Sequence, residues 1–156
     1  MKLNTRNFGE IEIDDNKILS FPDGIPGFED LKEYAIIQNP EEDVPFHWLQ
    51  SVEDTDLAFV IANPFNFKAD YDFRIPPSTV DKLKIEGPED VLIFSIVLIP
   101  EDVSKMTANL QAPLIINTKN NRAKQIIIDN EDYPRKFYIL EEMKKASKIE
   151  RQKGAE

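Results

Sequence analysis

The residues able to do chemistry are few and poorly matched to one another. The chain has no cysteine and one histidine, His47. That removes thiolate nucleophiles, disulfides, thiolate zinc centres and any zinc site built on two or three imidazoles. A base and nucleophile can be drawn from His47 and Ser51, but four residues of extended chain hold such positions about 13 Å apart. His47 is therefore read as structural, beside Phe46 and Trp48. Asp54-Thr55-Asp56 and Asp70-Tyr71-Asp72 are the tightest carboxylate pairs. Neither carries the further oxygen ligands, glycine and distal glutamate of a calcium loop, so both read as solvated turn acids. A hydrolase or other enzyme using acidic residues in a barrel pocket is the alternative that these carboxylates keep open. Gly24-Ile25-Pro26-Gly27 has the glycines of a phosphate loop, but Pro26 lacks an amide to give. No nucleophile elbow, Walker loop or dinucleotide turn occurs. The expectation is a non-enzyme with no catalytic residue, cofactor or metal.

Charge points toward protein partners instead. Nineteen basic and twenty-nine acidic residues give a net charge of −10. Residues 1–102 hold 8 basic and 22 acidic side chains, whereas residues 103–156 hold 11 and 7. From Glu41 to Asn66 six acids occur with no Lys or Arg. Such a surface repels phosphate backbones and anionic lipid and attracts basic proteins. Aromatics at Phe65, Phe67, Tyr71 and Phe73 are interleaved with acids, which suits core packing better than base stacking. No apolar signal core follows Met1, and the longest apolar run, Val91–Ile99, is too short to span a bilayer. A cytoplasmic protein that binds neither nucleic acid nor membrane is expected.

The elements that must position these residues are mostly strands. Ile11 and Ile13 alternate with Glu10, Glu12 and Asp14, the period of a half-buried strand, and Asp14-Asp15-Asn16 turns the chain into a second strand, Lys17–Phe21. The same reasoning gives strands at Tyr34–Gln38, Phe46–Gln50, Leu57–Ala62, Tyr71–Ile75, Val91–Ile99, Leu114–Thr118 and Lys124–Asp129. Lys119-Asn120-Asn121-Arg122 reads as the hairpin turn before the last of them. One helical turn is expected at Glu29–Glu33 and a short helix at Pro77–Leu83, closed by Gly87-Pro88. Ile139, Met143, Ala146 and Ile149 form the apolar stripe of a C-terminal helix. The fold expected is mainly β: a small antiparallel β-barrel-like domain over residues 1–140, with short peripheral helices and a charged C-terminal helical tail over 141–156.

Two segments are too shaped to be mere connectors. Phe21-Pro22-Asp23-Gly24-Ile25-Pro26-Gly27-Phe28-Glu29 sets two aromatics around a rigid turn. Thr107-Ala108-Asn109-Leu110-Gln111-Ala112-Pro113-Leu114 puts amides among apolar residues directly before a strand. Extended to Phe21–Asp30 and Thr107–Asn117, and taken with Phe46–Pro64, these stretches resemble the bacterial flagellar assembly factor FliW family, over about Asn4 to Tyr138. Gln111 stands where many relatives carry an apolar residue. The resemblance implies a barrel-like, non-catalytic protein that binds flagellin and the dimeric RNA-binding repressor CsrA. By that analogy it frees flagellin messenger RNA through an allosteric partner switch, acting as a monomer when free. The candidate partner-binding residues are Phe21, Ile25, Phe28, Glu29, Glu41, Glu42, Asp43, Asn109, Gln111 and Pro113. The acids among them would attract a basic repressor, and the loop residues would supply apolar and amide contacts.

Overall fold

The structure, a computed structural model, describes residues 1–41 and 44–140. Eleven strands and one α-helix follow in order: β1 Lys2–Thr5, β2 Gly9–Glu12, β3 Ile18–Ser20, β4 Glu33–Ile37, β5 Phe46–Ser51, β6 Ala58–Ala62, α1 Pro77–Leu83, β7 Val91–Leu98, β8 Thr107–Ala108, β9 Leu114–Asn117, β10 Arg122–Gln125 and β11 Phe137–Tyr138. Seven of the strands close a barrel in the order β7-β6-β5-β4-β3-β10-β9, with β9 returning to β7. Closure is possible because β7 is long enough to serve two neighbours. Its first half, Val91 to Phe94, pairs with β9, and its second half pairs with β6 and β8. A barrel leaves no open edge in the closed part. Among the described residues every strand pairing is antiparallel except β3 with β10, which is parallel through Arg122 and Ser20.

Strand alternation fills the interior. Leu19, Phe21, Ile25, Tyr34, Leu49, Ile61, Leu114, Ile116 and Ala123 pack into one buried cluster. The opposite faces of β3 to β5 are covered by the hairpin β1–β2, where Leu3 and Ile13 close on Ala35. Helix α1 covers β9 and β10 through Leu83, Ile115 and Ile126. Its last carbonyls are taken up by the β9–β10 hairpin. Asn117 Nδ2 donates to the carbonyls of Leu83 (2.8 Å) and Lys84 (3.2 Å), and Asn120 Nδ2 also donates to Leu83 (2.9 Å). Lys84 ends the helix in the left-handed conformation, φ +56.

Several expectations are corrected. Strand β2 pairs with β1, not with the segment starting at Lys17, because Asp14 caps a 3-10 turn over Asp15–Lys17 and redirects the chain. Tyr71–Ile75 is not a strand. It is tied down outside any ladder: Tyr71 OH donates to the Leu110 backbone carbonyl (2.6 Å), and the Asp72 N–H donates to Tyr133 OH (3.0 Å). Glu29–Glu33 forms no helical turn, since the Lys32 and Glu33 amides donate to Glu53 and Glu33 already opens β4. The regular ladder of β10 stops at Gln125. The two-residue strands β8 and β11 lie below the length that periodicity can reveal. Residues 139–140 are helical; the rest of the expected C-terminal helix lies outside the described residues.

Candidate protein-docking end

One end of the barrel is closed by the loop from Phe21 to Asp30. Phe21 and Ile25 are buried in the barrel interior, so these two of the expected contact residues serve as the plug. The loop folds on itself through Gly24 N–H to Phe21 O (2.8 Å), Phe28 N–H to Ile25 O (2.7 Å) and Leu31 N–H to Phe28 O (3.0 Å). Gly24 sits at φ +68, and a Cβ there would lie 2.6 Å from Glu29 Cα and from the Glu29 carbonyl oxygen. Only glycine lets the two arms approach so closely. Asp23 locks the loop to its neighbours, pairing with Lys82 of α1 and with Lys124 of β10 (3.1 Å). The Lys82 contact first, and Lys124 second, hold the Asp23 carboxyl below the usual carboxylate range.

What this loop presents is Phe28, which is 40% exposed. Its ring meets Phe59 edge-on at 5.3 Å, Phe59 lies 6.2 Å from Tyr34, and Tyr34 meets Phe21 at 5.2 Å. An aromatic chain therefore runs from the solvent-facing ring to the centre of the barrel. Such contacts orient rings as well as burying area. Phe59 and Asp23 were not among the expected contact residues; Asp23 sits inside the quoted motif and Phe59 inside an apolar strand, and only the fold gives them their roles.

Acids surround this end. Glu29 Oε1 accepts the Gly27 N–H at 3.0 Å, and that amide first, then its own N–H and Lys32, keep its carboxyl below the ordinary value. Glu53 Oε1 accepts the N–H groups of Lys32 (2.6 Å) and Glu33 (2.8 Å). Asp54 Oδ1 accepts the Asp56 N–H at 3.1 Å. The Tyr34 hydroxyl is buried with no hydrogen-bond partner among the described residues. Burial, and then the negative charges of Glu53 and Asp54, push it up to about 12.

The second loop leads into β9 at this same end, since β10 runs parallel to β3 from Arg122 beside Ser20 and its last residue, Gln125, pairs with Leu114. Most of it is internal. Asn109 Oδ1 accepts the Ala112 N–H (3.0 Å), Pro113 is buried, and its carbonyl accepts the Ile126 N–H (3.1 Å). Gln111 alone of its named residues is exposed.

Glu41 belongs elsewhere. Strand β5 carries the acidic stretch from one end of the barrel to the other, about 20 Å at 3.3 Å per residue. Glu41 thus lies at the opposite end, while Glu53, Asp54 and Asp56 lie at the Phe28 end. Glu42 and Asp43 fall outside the described residues. At Glu41's end the barrel opens into a cavity of about 600 Å³ with Leu19, Ile36, Phe94 and Ile116 beneath a rim of Gln38, His47, Thr118 and Asn121. Among the described residues its lining holds no carboxylate, and Glu41 lines the adjoining hollow that shares Gln38 and His47. His47 Nδ1 accepts the Asn39 N–H at 3.1 Å. Among the described residues no group of three or more His, Asp or Glu side chains is arranged to hold a metal ion, and no helix is long and apolar enough to cross a membrane.

A family model described as "FliW protein" matches residues 2–139. The flagellar assembly factor FliW of Alkaliphilus metalliredigens is 57% identical over 145 residues, covering 93% of this chain and 90% of the relative. That of Thermoanaerobacter pseudethanolicus is 50% identical over 146 residues, covering 94% and 97%. A crystal structure of a flagellar assembly factor FliW superimposes with a TM-score of 0.82 at 35% identity, covering 89% of this chain and 96% of that one.

Proposed function

The chain belongs to the FliW family, and from that premise we propose that it is a non-catalytic flagellar assembly factor of the cytoplasm. In this reading it binds the translational repressor CsrA and flagellin in turn, as a monomer when free. Bound to CsrA it relieves repression of flagellin translation; accumulated flagellin reclaims it and restores repression. It contacts CsrA beside the RNA surface, so its effect on RNA release is allosteric.

The observation that carries the reading is Phe28, held on a self-locked loop at the barrel end that also carries Glu29, Glu53 and Asp54. An exposed aromatic inside an acidic field is suited to a basic protein, because the ring supplies buried area and the charges supply steering and selectivity. Repulsion between these acids and RNA phosphates would assist release from a neighbouring site.

Calorimetry of the purified protein with CsrA, with and without flagellin and at two salt concentrations, tests it. The expected result is binding that flagellin abolishes and that weakens with salt. Phe28→Ala should weaken CsrA or flagellin binding at least tenfold, a hot-spot loss of about 1.4 kcal/mol or more. Failure of the wild-type protein to bind either partner overturns the reading.

A further inference from the structure

Past β10 the chain stays extended. The Ile126 N–H donates to the Pro113 carbonyl at 3.1 Å and the Ile128 N–H to the Gln111 carbonyl at 2.7 Å. Successive amides of an extended chain point to opposite sides. The N–H and C=O of Ile127 therefore face away from the 111–113 segment, and they meet no partner among the described residues. Alternation turns the backbone of Gln125 the same way. Ile127 itself is 74% exposed, the most exposed large apolar side chain of the described residues.

This combination is unusual for a surface strand. Edges of this kind are normally blunted by charge, proline or a covering segment. Here an unpaired backbone and a bare β-branched side chain coincide, outside the closed barrel. We propose that Gln125–Asp129 is a strand-addition site, completed by an extended segment of a basic protein partner.

Charge selects that occupant. Asp129 lies two residues beyond Ile127 and on the same side, with Glu131 and Asp132 following, while Lys124 before the site is paired with Asp23. An added strand with a branched apolar residue across from Ile127 and Lys or Arg across from Asp129 satisfies both positions. A second copy does not. Antiparallel self-pairing centred on Ile127 sets Gln125 against Asp129, and each copy brings a net charge of −10. The inference rests on the proposed function only for its probe, the basic repressor CsrA.

The test uses the full chain with CsrA. Hydrogen–deuterium exchange should slow at residues 125–129 in the complex. Ile127→Pro removes the outward N–H but leaves the bonds of Ile126 and Ile128, so it should fold by circular dichroism and bind at least tenfold more weakly. Ile127→Val should stay within threefold of wild type, and Ile127→Lys provides the loss-of-binding variant should the proline variant not fold. Wild-type binding that these variants leave unchanged, or that leaves the exchange of 125–129 unaltered, overturns the site while the proposed function stands. Absence of any wild-type binding removes both. Self-association that Ile127→Pro abolishes overturns the partner strand in favour of a second copy.

Discussion

Gly24→Ala separates backbone strain from steric collision, because a second glycine of the same loop offers only the former. Gly24 and Gly27 both have positive φ, +68 and +91. Alanine in that half of the map costs about 1–2 kcal/mol. At Gly27 nothing lies within 4 Å of the added Cβ, so strain is the whole cost. At Gly24 the Cβ would meet Glu29 Cα and O at 2.6 Å, and backbone cannot rotate away as a side chain can. Relief must come from shifting the loop against buried Phe21 and Ile25, an overpacking cost of about 1–3 kcal/mol more. The sum is about 2–5 kcal/mol for Gly24→Ala against about 1–2 for Gly27→Ala. Urea unfolding at equal slope measures the difference. Thermal midpoints should fall by about 2–4 °C per kcal/mol for a chain of this size. Equal losses at the two sites would show that the close approach of Gly24 to Glu29 does not constrain the loop, and the argument that it fixes Phe28 would fail with it.

Three further outcomes are expected. Asp23→Asn should cost less than about 1 kcal/mol at pH 7, because its two lysine contacts are partly solvated. Its folded carboxyl is depressed, so the wild-type advantage is present above the ordinary value of 3.8, is lost as pH falls through the folded value, and should vanish in acid unfolding curves. Tyr34→Phe should change stability by less than about 0.5 kcal/mol at neutral pH, since it deletes a buried hydroxyl that has no partner. With Tyr34 raised to about 12, wild-type stability is full below pH 10 and is lost between pH 10 and 12. The phenylalanine variant should lose about 2–3 kcal/mol less across that window in denaturant titrations. Asn117→Asp replaces the amide that donates to the Leu83 and Lys84 carbonyls, and should destabilise by about 3 kcal/mol or more in the same assay.

How much was legible follows from what sets each element. Strands β4 to β7 and β9 show in the sequence because β-branched and aromatic runs bounded by Pro, Asn and Asp have few other uses. Barrel closure was legible only as a class. The pairing of β7 with β9 and the parallel contact of β3 with β10 join residues far apart in sequence, where no local pattern speaks. Tyr71–Ile75 imitates a strand because its alternating rings serve the Leu110 and Tyr133 packing rather than a ladder. The two motif loops were recognisable as special, but not which of their residues face solvent. Phe21 and Phe28 have the same chemistry seven residues apart, and only the positive φ of Gly24 and Gly27 turns one inward and the other outward. Likewise the acids from Glu41 to Asp56 look like one patch in the sequence, until β5 sets Glu41 at one end and Glu53, Asp54 and Asp56 at the other.

That separation ranks the acids. Glu29 and Glu53 each accept backbone amides, and these bonds hold their charges in place at the barrel end that carries Phe28. A side chain already ordered loses little entropy when a partner docks. Glu41 has no such anchor: its own N–H donates to Asn39 Oδ1 at 3.0 Å, and no ion pair with Glu41 occurs among the described residues. Removing a charge without changing shape therefore should matter more at the anchored position. Glu29→Gln keeps an oxygen for the Gly27 amide and should weaken binding to a basic partner several-fold at low salt, whereas Glu41→Gln should change it less than twofold. Both effects should shrink as ionic strength rises toward physiological values, where the screening length falls to about 8 Å. Calorimetric titrations of the two variants at 20 and 150 mM salt decide the order. A larger effect at Glu41 would move the docking surface to the open mouth of the barrel, around His47 and Gln38, and away from Phe28.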